Sequence, residues 1–309
     1  MRPEFSVIIP VHNKLPHLER SVFSVLNQTF SSFELILIDD ASTDGSSEKL
    51  LEFKDSRIKL LRRDVPGPGG YAARNFGVKH ASYKWVCFLD ADDEWELNVL
   101  DTLAEVIKDH PDVEILSWGW VKAKGRQKVI DAYSCKFKQE KIKPFTLTDF
   151  FNGPPPMWTG GISMKKELLE KAGGFPEHGF KRGGDMDTWI RCLWHSNKSL
   201  RLTKPMTLYY MDSVNMVTKS IENDTSYFFS DFVMQILQST KDKQLVQAIR
   251  YHQNRRIYSI LTERLNKGRS IDYDLLSKMN TNLLFCYLFV KLHLKELFLR
   301  TKFMKGSAA

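Results

Sequence analysis

The sequence has few cysteines and no long uninterrupted apolar run. The four cysteines are far apart and include no Cys-x-x-Cys pair, so reduced thiols are predicted rather than a disulfide framework or a zinc site. They are Cys87, Cys135, Cys192 and Cys286. The longest apolar stretch, residues 283–290, is too short to span a bilayer, and no secretory leader follows Met1. These absences predict a cytoplasmic protein, either soluble or bound peripherally to the inner face of a membrane.

Signatures of nucleic-acid binding and of a P-loop are also missing. The formal net charge is +8, and many basic residues fall in the last third of the chain, but no nucleic-acid motif or dense basic run accompanies them. An anionic membrane surface or an anionic acceptor explains this charge better than a nucleic acid does. The glycines of residues 66–70 lack the Walker-A spacing and its Gly-Lys-Ser/Thr end, which excludes a P-loop.

The first part of the chain alternates short apolar runs with segments of helical spacing. Strands are predicted at 5–10, 33–38, 57–61, 85–89 and 113–120, and helices at 15–26, 46–53, 71–81 and 97–107. This alternation predicts an α/β fold, with a mostly parallel central sheet flanked by helices on both faces. Ligands of such sheets bind beyond the carboxyl ends of the strands.

The rest of the chain is predicted to be less regular and then helical. Residues 121–165 are expected to be irregular, followed by helices at 165–172 and 185–195. From residue 222 onward the pattern is helical and carries no cluster of chemically active side chains. A chain of 309 residues accommodates one large domain and such a C-terminal helical appendage.

Acidic residues follow two of the predicted strands. One strand ends at Asp39-Asp40, and another ends about fifty residues later at Asp90-Ala91-Asp92, with Asp93 beside it. Carboxylates crowded at a strand end need a positive partner, and a divalent cation bound to a diphosphate would supply it. A single Asp-x-Asp motif is weak evidence for such a site, because any strand that ends in an acidic turn can produce one. The occurrence of two acidic strand ends in one chain is stronger evidence. The pair favours a site for a nucleotide-sugar.

Three further segments have both a functional and an ordinary interpretation. The turn at Pro10, Val11 and Asn13 could lie beside a nucleotide base, or Pro10 could merely end a strand. Asp39 or Asp40 could accept a uracil imide or bind the ribose, or the run could be an Asx turn that caps a helix. The loop before Arg74 could present backbone amides and the guanidinium to a diphosphate, or be a plain surface loop.

A fourth segment, Gly184-Asp185-Met186-Asp187, begins a predicted helix. One of its two aspartates could be a general base held near an acceptor hydroxyl. Alternatively, both Asp185 and Asp187 could be first-turn acids that complement the helix dipole.

These motifs in this order resemble a family 2 inverting glycosyltransferase of the GT-A nucleotide-diphospho-sugar transferase fold. The resemblance rests on residues 5–13, 39–46, 90–93, 173–175 and 184–187, and covers residues 4–215. It implies a GT-A catalytic domain over residues 1–221, with a nucleotide-binding half at about 1–120 and an acceptor-side half at about 121–221. Residues 222–309 form the helical C-terminal region.

The resemblance also implies roles for single residues. Asp40 would contact the uracil, Asp90 the ribose or a metal-bound water, and Asp92 the Mn²⁺ or Mg²⁺ held by the diphosphate. Asp185 matches the catalytic base. The remaining donor-binding candidates are Pro10, Val11, Asn13, Arg74 and Ala91, and the weaker site candidates are Asp39, Asp93, Asp187, Asp212 and Trp158.

The chain departs from the family pattern at two places. Gly184 stands where relatives usually carry Glu before the catalytic Asp. After Leu208-Tyr209-Tyr210, relatives often have Arg and then His, whereas this chain has Met211-Asp212-Ser213. The chain thus lacks a histidine that would serve as a metal ligand or a diphosphate contact, and Asp212 is a weak substitute candidate. The Gln-x-x-Arg-Trp signature and membrane spans of processive relatives are missing, which favours transfer of a single sugar.

The sequence therefore predicts a metal-dependent, non-processive transferase that moves one sugar from a nucleotide-sugar to a glycan or lipid-linked acceptor. Two alternatives remain: a nucleotidyltransferase that makes sugar nucleotides, and a sugar-nucleotide-binding protein with weakened catalysis. For the basic apolar segment at residues 283–305, one interpretation is packing on the catalytic domain or in a homodimer. The other is an amphipathic helix on a membrane surface.

Overall fold

The computed structural model describes residues 3–180, 182–216, 225–281 and 283–306. The chain forms two compact units, Met1–Glu222 and Asn223–Ala309.

The first unit is built on one large sheet. Its strands are β1 Phe5–Val11, β2 Phe33–Asp40, β3 Ile58–Arg63, β4 Trp85–Phe88, β5 Glu94–Trp95, β6 Ile115–Lys124, β7 Gln127–Ile130, β8 Ile142–Pro144, β9 Ile162–Lys165 and β10 Ser199–Tyr210. Its helices are α1 Leu18–Leu26, α2 Ser46–Glu52, α3 Tyr71–His80, α4 Val99–Asp109, α5 Ala132–Lys136, α6 Leu147–Asn152, α7 Lys166–Lys171 and α8 Gly184–His195.

The strand order is β3-β2-β1-β4-β9-β6-β10-β5, with β7 beside β6 and β8 beside β10. Pairing is parallel from β3 to β4 and between β6 and β10, whereas β9 runs antiparallel to both β4 and β6. The α/β fold class is confirmed, with a sheet that is parallel in its first half and mixed beyond it. Because β1, β2 and β4 are parallel, the turns that follow them meet at one edge.

Burial explains why the first strands are apolar without interruption. Val7, Ile8, Ile9 and Val11 of β1 have no exposed surface, so both faces of this strand are covered. Such strands lack the alternation of apolar and polar residues that half-exposed strands show.

The prediction that residues 121–165 are irregular is wrong. This stretch contains β7, α5, β8, α6 and β9. The elements are only three to six residues long, too short for a clear hydrophobic period. β8 and β9 form because distant partners, β10 in one case and β4 with β6 in the other, supply their hydrogen bonds.

A buried ion pair fixes this second half of the sheet. Arg201 of β10 has no exposed surface, and its Nη2 lies 3.1 Å from Asp131 Oδ1. Asp131 also accepts the N–H groups of Ser134 and Trp120, at 2.9 and 3.1 Å. Burial lowers the pKa of Arg201 to about 10. Removing either partner would leave an uncompensated buried charge, so the pair holds β6, β10 and α5 together.

The second unit is helical, as predicted. Its helices are α9 Asp231–Ser239, α10 Lys243–Asn266, α11 Tyr273–Ser277 and α12 Leu283–Gly306. Leu288 and Leu292 of α12 are buried, whereas Leu294 and Leu297 are exposed. Within the described parts of the chain, no helix is both long and apolar enough to cross a membrane.

Candidate active site

The turn after β1 is tied to the turn after β2. Asn13 has a left-handed backbone with φ of 54°, and its Oδ1 accepts the N–H of Thr43 at 2.7 Å. The N–H of Asn13 donates to Ser42 Oγ at 3.2 Å. Pro10 and Val11 end β1 immediately before this turn, and Val11 is buried. The amide of Asn13 therefore joins the two turns.

The two aspartates at the end of β2 have different partners. Asp39 Oδ1 accepts a hydrogen bond from the backbone N–H of Ser42 at 3.0 Å, and Asp39 Oδ2 accepts one from the Ser47 hydroxyl at 2.6 Å. Asp39 thus has the turn-forming role that was one of the two interpretations of this segment. Asp40 is buried, pairs with Arg63 and accepts the N–H of Gly67 at 3.2 Å. Asp40 therefore connects β2 to the glycine-rich loop before α3.

Arg74 joins that loop to the end of β4. Its Nη2 lies 2.6 Å from Asp90 Oδ1, and its Nη1 donates to Gly69 O at 2.9 Å. Arg74 is 6% exposed, so its charge is directed at the acidic strand end rather than at bulk water. The sequence predictions for Arg74 and Asp90 thus fall on two residues in direct contact.

Asp93 is the most constrained carboxylate of the group. It is fully buried, and its Oδ1 accepts the N–H of Tyr210 at 3.0 Å. Within the described chain, its Oδ2 has no hydrogen-bond partner. Burial, together with the charges of Asp92 and Asp90, raises its pKa well above the usual value. Through its bond to Tyr210, Asp93 anchors the end of β10 to the chain that follows β4.

Asp92 lies beside a lysine from the turn after β1. Lys14 Nζ is 2.7 Å from Asp92 Oδ2 and also donates to Val214 O and Asn215 O, at 2.7 and 3.3 Å. Ala91, between Asp90 and Asp92, is 2% exposed. Asp92 therefore has a protein cation as its partner.

The oxygen donors of this cluster fit Mg²⁺ or Mn²⁺. Both are hard cations that prefer carboxylates, and Mg²⁺ is commonly held by one or two carboxylates together with substrate phosphates. In the described ranges, no group of three or more His, Cys, Asp or Glu side chains could hold a metal without further ligands. Asp92 is thus a fitting protein ligand, provided that a donor diphosphate and water complete the coordination.

Asp185 is the second residue of α8 and is half-buried. Thr159 Oγ1 donates to its Oδ2 at 3.2 Å. Burial raises the pKa of Asp185, and the charge of Arg74 opposes that rise, while Asp90 adds to it. A carboxylate with a raised pKa is a stronger base once it is ionised. The charges of Arg74 and Asp90 thus both act on the carboxyl group of Asp185.

Tyr71 occupies the space beside Gly184. A Cβ on Gly184 would lie 2.8 Å from Tyr71 Cζ and 2.9 Å from Pro176 Cγ. The N–H of Gly184 donates to Tyr71 Oη at 2.9 Å. The N-cap residue, Gly183, has no side chain, so the tyrosine satisfies a helix-start amide that would otherwise lack a side-chain partner. Tyr71 therefore links α3 to the helix of the candidate base.

The weaker candidates have mainly structural partners. Asp187 pairs with Arg191 Nε at 2.8 Å, one helical turn later. Asp212 is exposed and accepts the N–H of Gly125 at 3.2 Å. The ring of Trp158 lies 5.0 Å from that of Tyr209 and 5.4 Å from that of Trp120, centroid to centroid. Trp158 precedes Thr159, so this aromatic cluster adjoins Asp185.

Four residues in contact with the candidates were not predicted from the sequence: Lys14, Arg63, Tyr71 and Thr159. Each reaches its partner across a long stretch of sequence, for example 78 residues between Lys14 and Asp92. None belongs to a recognisable motif, so no local signal identified them.

Residues 6–172, more than half of the chain, match the family described as Glycosyl transferase family 2. The chain belongs to this family. The prediction made from the acidic strand ends and the Gly-Asp helix start is thereby confirmed at the level of the family.

Named relatives match over shorter stretches. One is UDP-Glc:alpha-D-GlcNAc-diphosphoundecaprenol beta-1,3-glucosyltransferase WfgD of Escherichia coli, 44% identical over 96 residues, which cover 31% of this chain and 38% of that protein. Another is the putative teichuronic acid biosynthesis glycosyltransferase TuaG of Bacillus subtilis, 36% identical over 106 residues, which cover 34% of this chain and 42% of TuaG. The matches thus span well under half of these relatives.

The fold is similar to that of a solved structure with a bound nucleotide-sugar. S. aureus TarS 1–349, in complex with UDP-GlcNAc, superimposes with a TM-score of 0.71 at 18% identity. The match covers 98% of this chain and 92% of that one. At this identity the similarity establishes the GT-A-like fold.

Proposed function

We propose that this protein is an inverting, metal-dependent, non-processive glycosyltransferase. It would move one hexosyl or N-acetylhexosaminyl group from a UDP-sugar to a hydroxyl of a glycan or lipid-linked acceptor, in the synthesis of a bacterial surface polysaccharide or glycoconjugate. The observation that carries this proposal is Arg74, which contacts Asp90 at 2.6 Å and also acts on the pKa of Asp185. The name of the E. coli relative WfgD, with its UDP-Glc donor and diphosphoundecaprenol acceptor, supports the choice of substrates.

The donor half is assigned to residues 1–120. Asp40, at the end of β2, would accept the imide N–H of uracil, and Asp90 would bind the ribose. The guanidinium of Arg74 would form an ion pair with the diphosphate in addition to its ion pair with Asp90. A Mn²⁺ or Mg²⁺ ion held by Asp92 would supply Lewis-acid charge at the leaving diphosphate.

The acceptor half is assigned to residues 121–221. Asp185, once ionised, removes the proton from the acceptor hydroxyl as its oxygen attacks the anomeric carbon. Attack occurs on the face opposite the diphosphate, so a single displacement converts an α-linked donor into a β-glycoside. Thr159 holds one carboxylate oxygen of Asp185. The neighbouring Trp158 and Tyr209 provide aromatic faces for the acceptor sugar.

A screen of sugar nucleotides tests this function. We expect the full-length protein to release UDP from UDP-sugars in a Mn²⁺-dependent manner, with little or no nucleotide release from GDP- and dTDP-sugars. Nucleotide release is measured with a coupled assay, and Asp185→Asn serves as the matched control. Pyrophosphate turnover would favour the nucleotidyltransferase alternative. Binding of UDP-sugar without release, with every acceptor class added, would favour the binding-protein alternative.

For the second unit, Asn223–Ala309, we propose contact with an anionic membrane surface through α12. Five apolar residues of this helix are 55–66% exposed and recur at helical spacing: Tyr287, Val290, Leu294, Leu297 and Phe298. Lys291 and Lys295 border this face, where they would meet acidic head groups. The opposite face, with Leu288 and Leu292, packs inside the unit.

We expect the double substitution Leu294→Gln/Leu297→Gln to reduce co-sedimentation with anionic liposomes at low salt several-fold, because it removes apolar area without opening the core. Val129→Gln on β7 is the matched control, since Val129 is 60% exposed and lies in the other unit. Truncation after Asn280 should also reduce binding, but it removes the buried Leu288 and Leu292. If the parent protein ignores such liposomes and is dimeric by light scattering, the face is a subunit interface instead.

A further inference from the structure

The ammonium of Lys14 has an environment that resembles a small cation site. Three oxygens surround its Nζ: Asp92 Oδ2 and Val214 O at 2.7 Å, and Asn215 O at 3.3 Å. The Lys14 side chain is 13% exposed and that of Asp92 is 10% exposed. Three oxygen acceptors match the three N–H groups of an ammonium. Each N–H group of the Lys14 ammonium therefore has an oxygen acceptor. Its positive charge lies beside Asp92, where a bound metal ion would otherwise lie.

The same lysine holds residues 213–215 against the turn that follows β1, residues 12–17, which we call the donor turn. The N–H of Val214 donates to His17 Nε2 at 3.1 Å, and Asn215 Nδ2 donates to Asn13 O at 3.1 Å. The backbone of Lys14 is also held in place, because its backbone N–H donates to Ser46 Oγ at 3.0 Å. The segment thus contacts Asn13, Lys14 and His17, and the Lys14 ammonium also touches Asp92 of the acidic cluster.

We propose that Lys14 is an internal competitor for the metal site, and that metal binding at Asp92 displaces its ammonium and releases residues 213–215 from the donor turn. This inference rests on the metal dependence in the proposed function. A divalent ion and an ammonium that share one carboxylate oxygen repel each other strongly at contact distance. The ion therefore binds only as the ammonium leaves, and the lysine then loses its hydrogen bonds to Val214 and Asn215.

The Mn²⁺ dependence of UDP binding to the full-length protein tests the competition, because the diphosphate completes the coordination at Asp92; UDP is titrated by calorimetry at a series of Mn²⁺ concentrations, which gives the apparent Mn²⁺ affinity. We expect Lys14→Met to bind Mn²⁺ about tenfold more tightly than the parent, equivalent to about 1.4 kcal/mol. Lys59→Met is the matched control. The Lys59 ammonium donates to a backbone carbonyl, His80 O at 2.8 Å, so its removal should leave Mn²⁺ affinity unchanged.

Hydrogen exchange of peptides that cover residues 211–216 tests the release. In the parent, protection should fall when Mn²⁺ is added. In Lys14→Met it should be low from the start and unresponsive to Mn²⁺.

The outcomes separate this inference from the proposed function. Equal Mn²⁺ affinity in the parent and Lys14→Met, with binding lost in Asp92→Asn, would overturn the role of Lys14 and leave the metal site standing. Mn²⁺ affinity unchanged by Asp92→Asn would overturn both the metal site and the competition. No measurable binding to Lys14→Met at millimolar Mn²⁺, or protection of residues 211–216 that ignores Mn²⁺ in the parent, would also overturn the competition.

Discussion

Asp185→Asn is expected to lower the rate of sugar transfer on the order of 10²–10⁴-fold, the usual contribution of general-base catalysis. Asparagine is almost the same size as aspartate and still accepts the hydrogen bond from Thr159, but it cannot take the acceptor proton. Affinity for UDP, measured by calorimetry, should therefore stay close to that of the parent. Transfer is followed by product formation with a saturating donor.

Asp187→Asn is the matched control, because Asp187 pairs with Arg191 at 2.8 Å on the same helix. It should retain most of the transfer activity. Parental rates in Asp185→Asn would contradict the assignment and move the role to Asp187 or another acid.

The raised pKa of Asp185 adds a pH dependence. The base works when ionised, so the acid limb of the kcat/KM profile should lie above about 3.9, the ordinary value for aspartate, because burial raises this pKa. A carboxyl whose pKa is higher in the folded than in the unfolded state binds protons more tightly when folded. Its contribution to stability therefore falls as pH rises between the two values. Asp185→Asn should consequently unfold no earlier than the parent at neutral pH, which separates lost catalysis from lost folding.

Asp92→Asn is expected to abolish the Mn²⁺-dependent part of UDP binding. An amide oxygen carries no net charge and is a poorer ligand than a carboxylate for a hard divalent cation. In calorimetric titrations, UDP should bind the parent more tightly with Mn²⁺ than without it, whereas the variant should show a single, Mn²⁺-independent affinity.

Asp112→Asn is a suitable control for this measurement. Its carboxylate is exposed and pairs with Lys198 at 2.8 Å, on the surface of the same unit. The control should keep the parental response to Mn²⁺. Two results would contradict the proposed metal site. One is a UDP affinity of the parent that Mn²⁺ does not change, and the other is a UDP affinity of Asp92→Asn that Mn²⁺ still increases.

The sequence by itself determined the first half of the fold and the positions of the acidic residues. The strands at 5–11, 33–40 and 85–88 are recognisable because both of their faces are buried and each run is continuously apolar. The motifs at Asp39-Asp40 and Asp90-Ala91-Asp92 follow two of these strands directly, so parallel pairing brings them to one edge. The start of α8 was similarly readable from its glycine and first-turn acids.

Only the tertiary structure decided what each of these acids contacts. Lys14 reaches Asp92 across 78 residues, and Tyr71 reaches Gly184 across 113. The short strands β8 and β9 likewise exist only because distant strands pair with them. Local patterns specify which face of an element is buried and where its chain turns. The partner of a side chain at that turn depends on how separate elements pack. The spacing of residues in the sequence does not specify that packing.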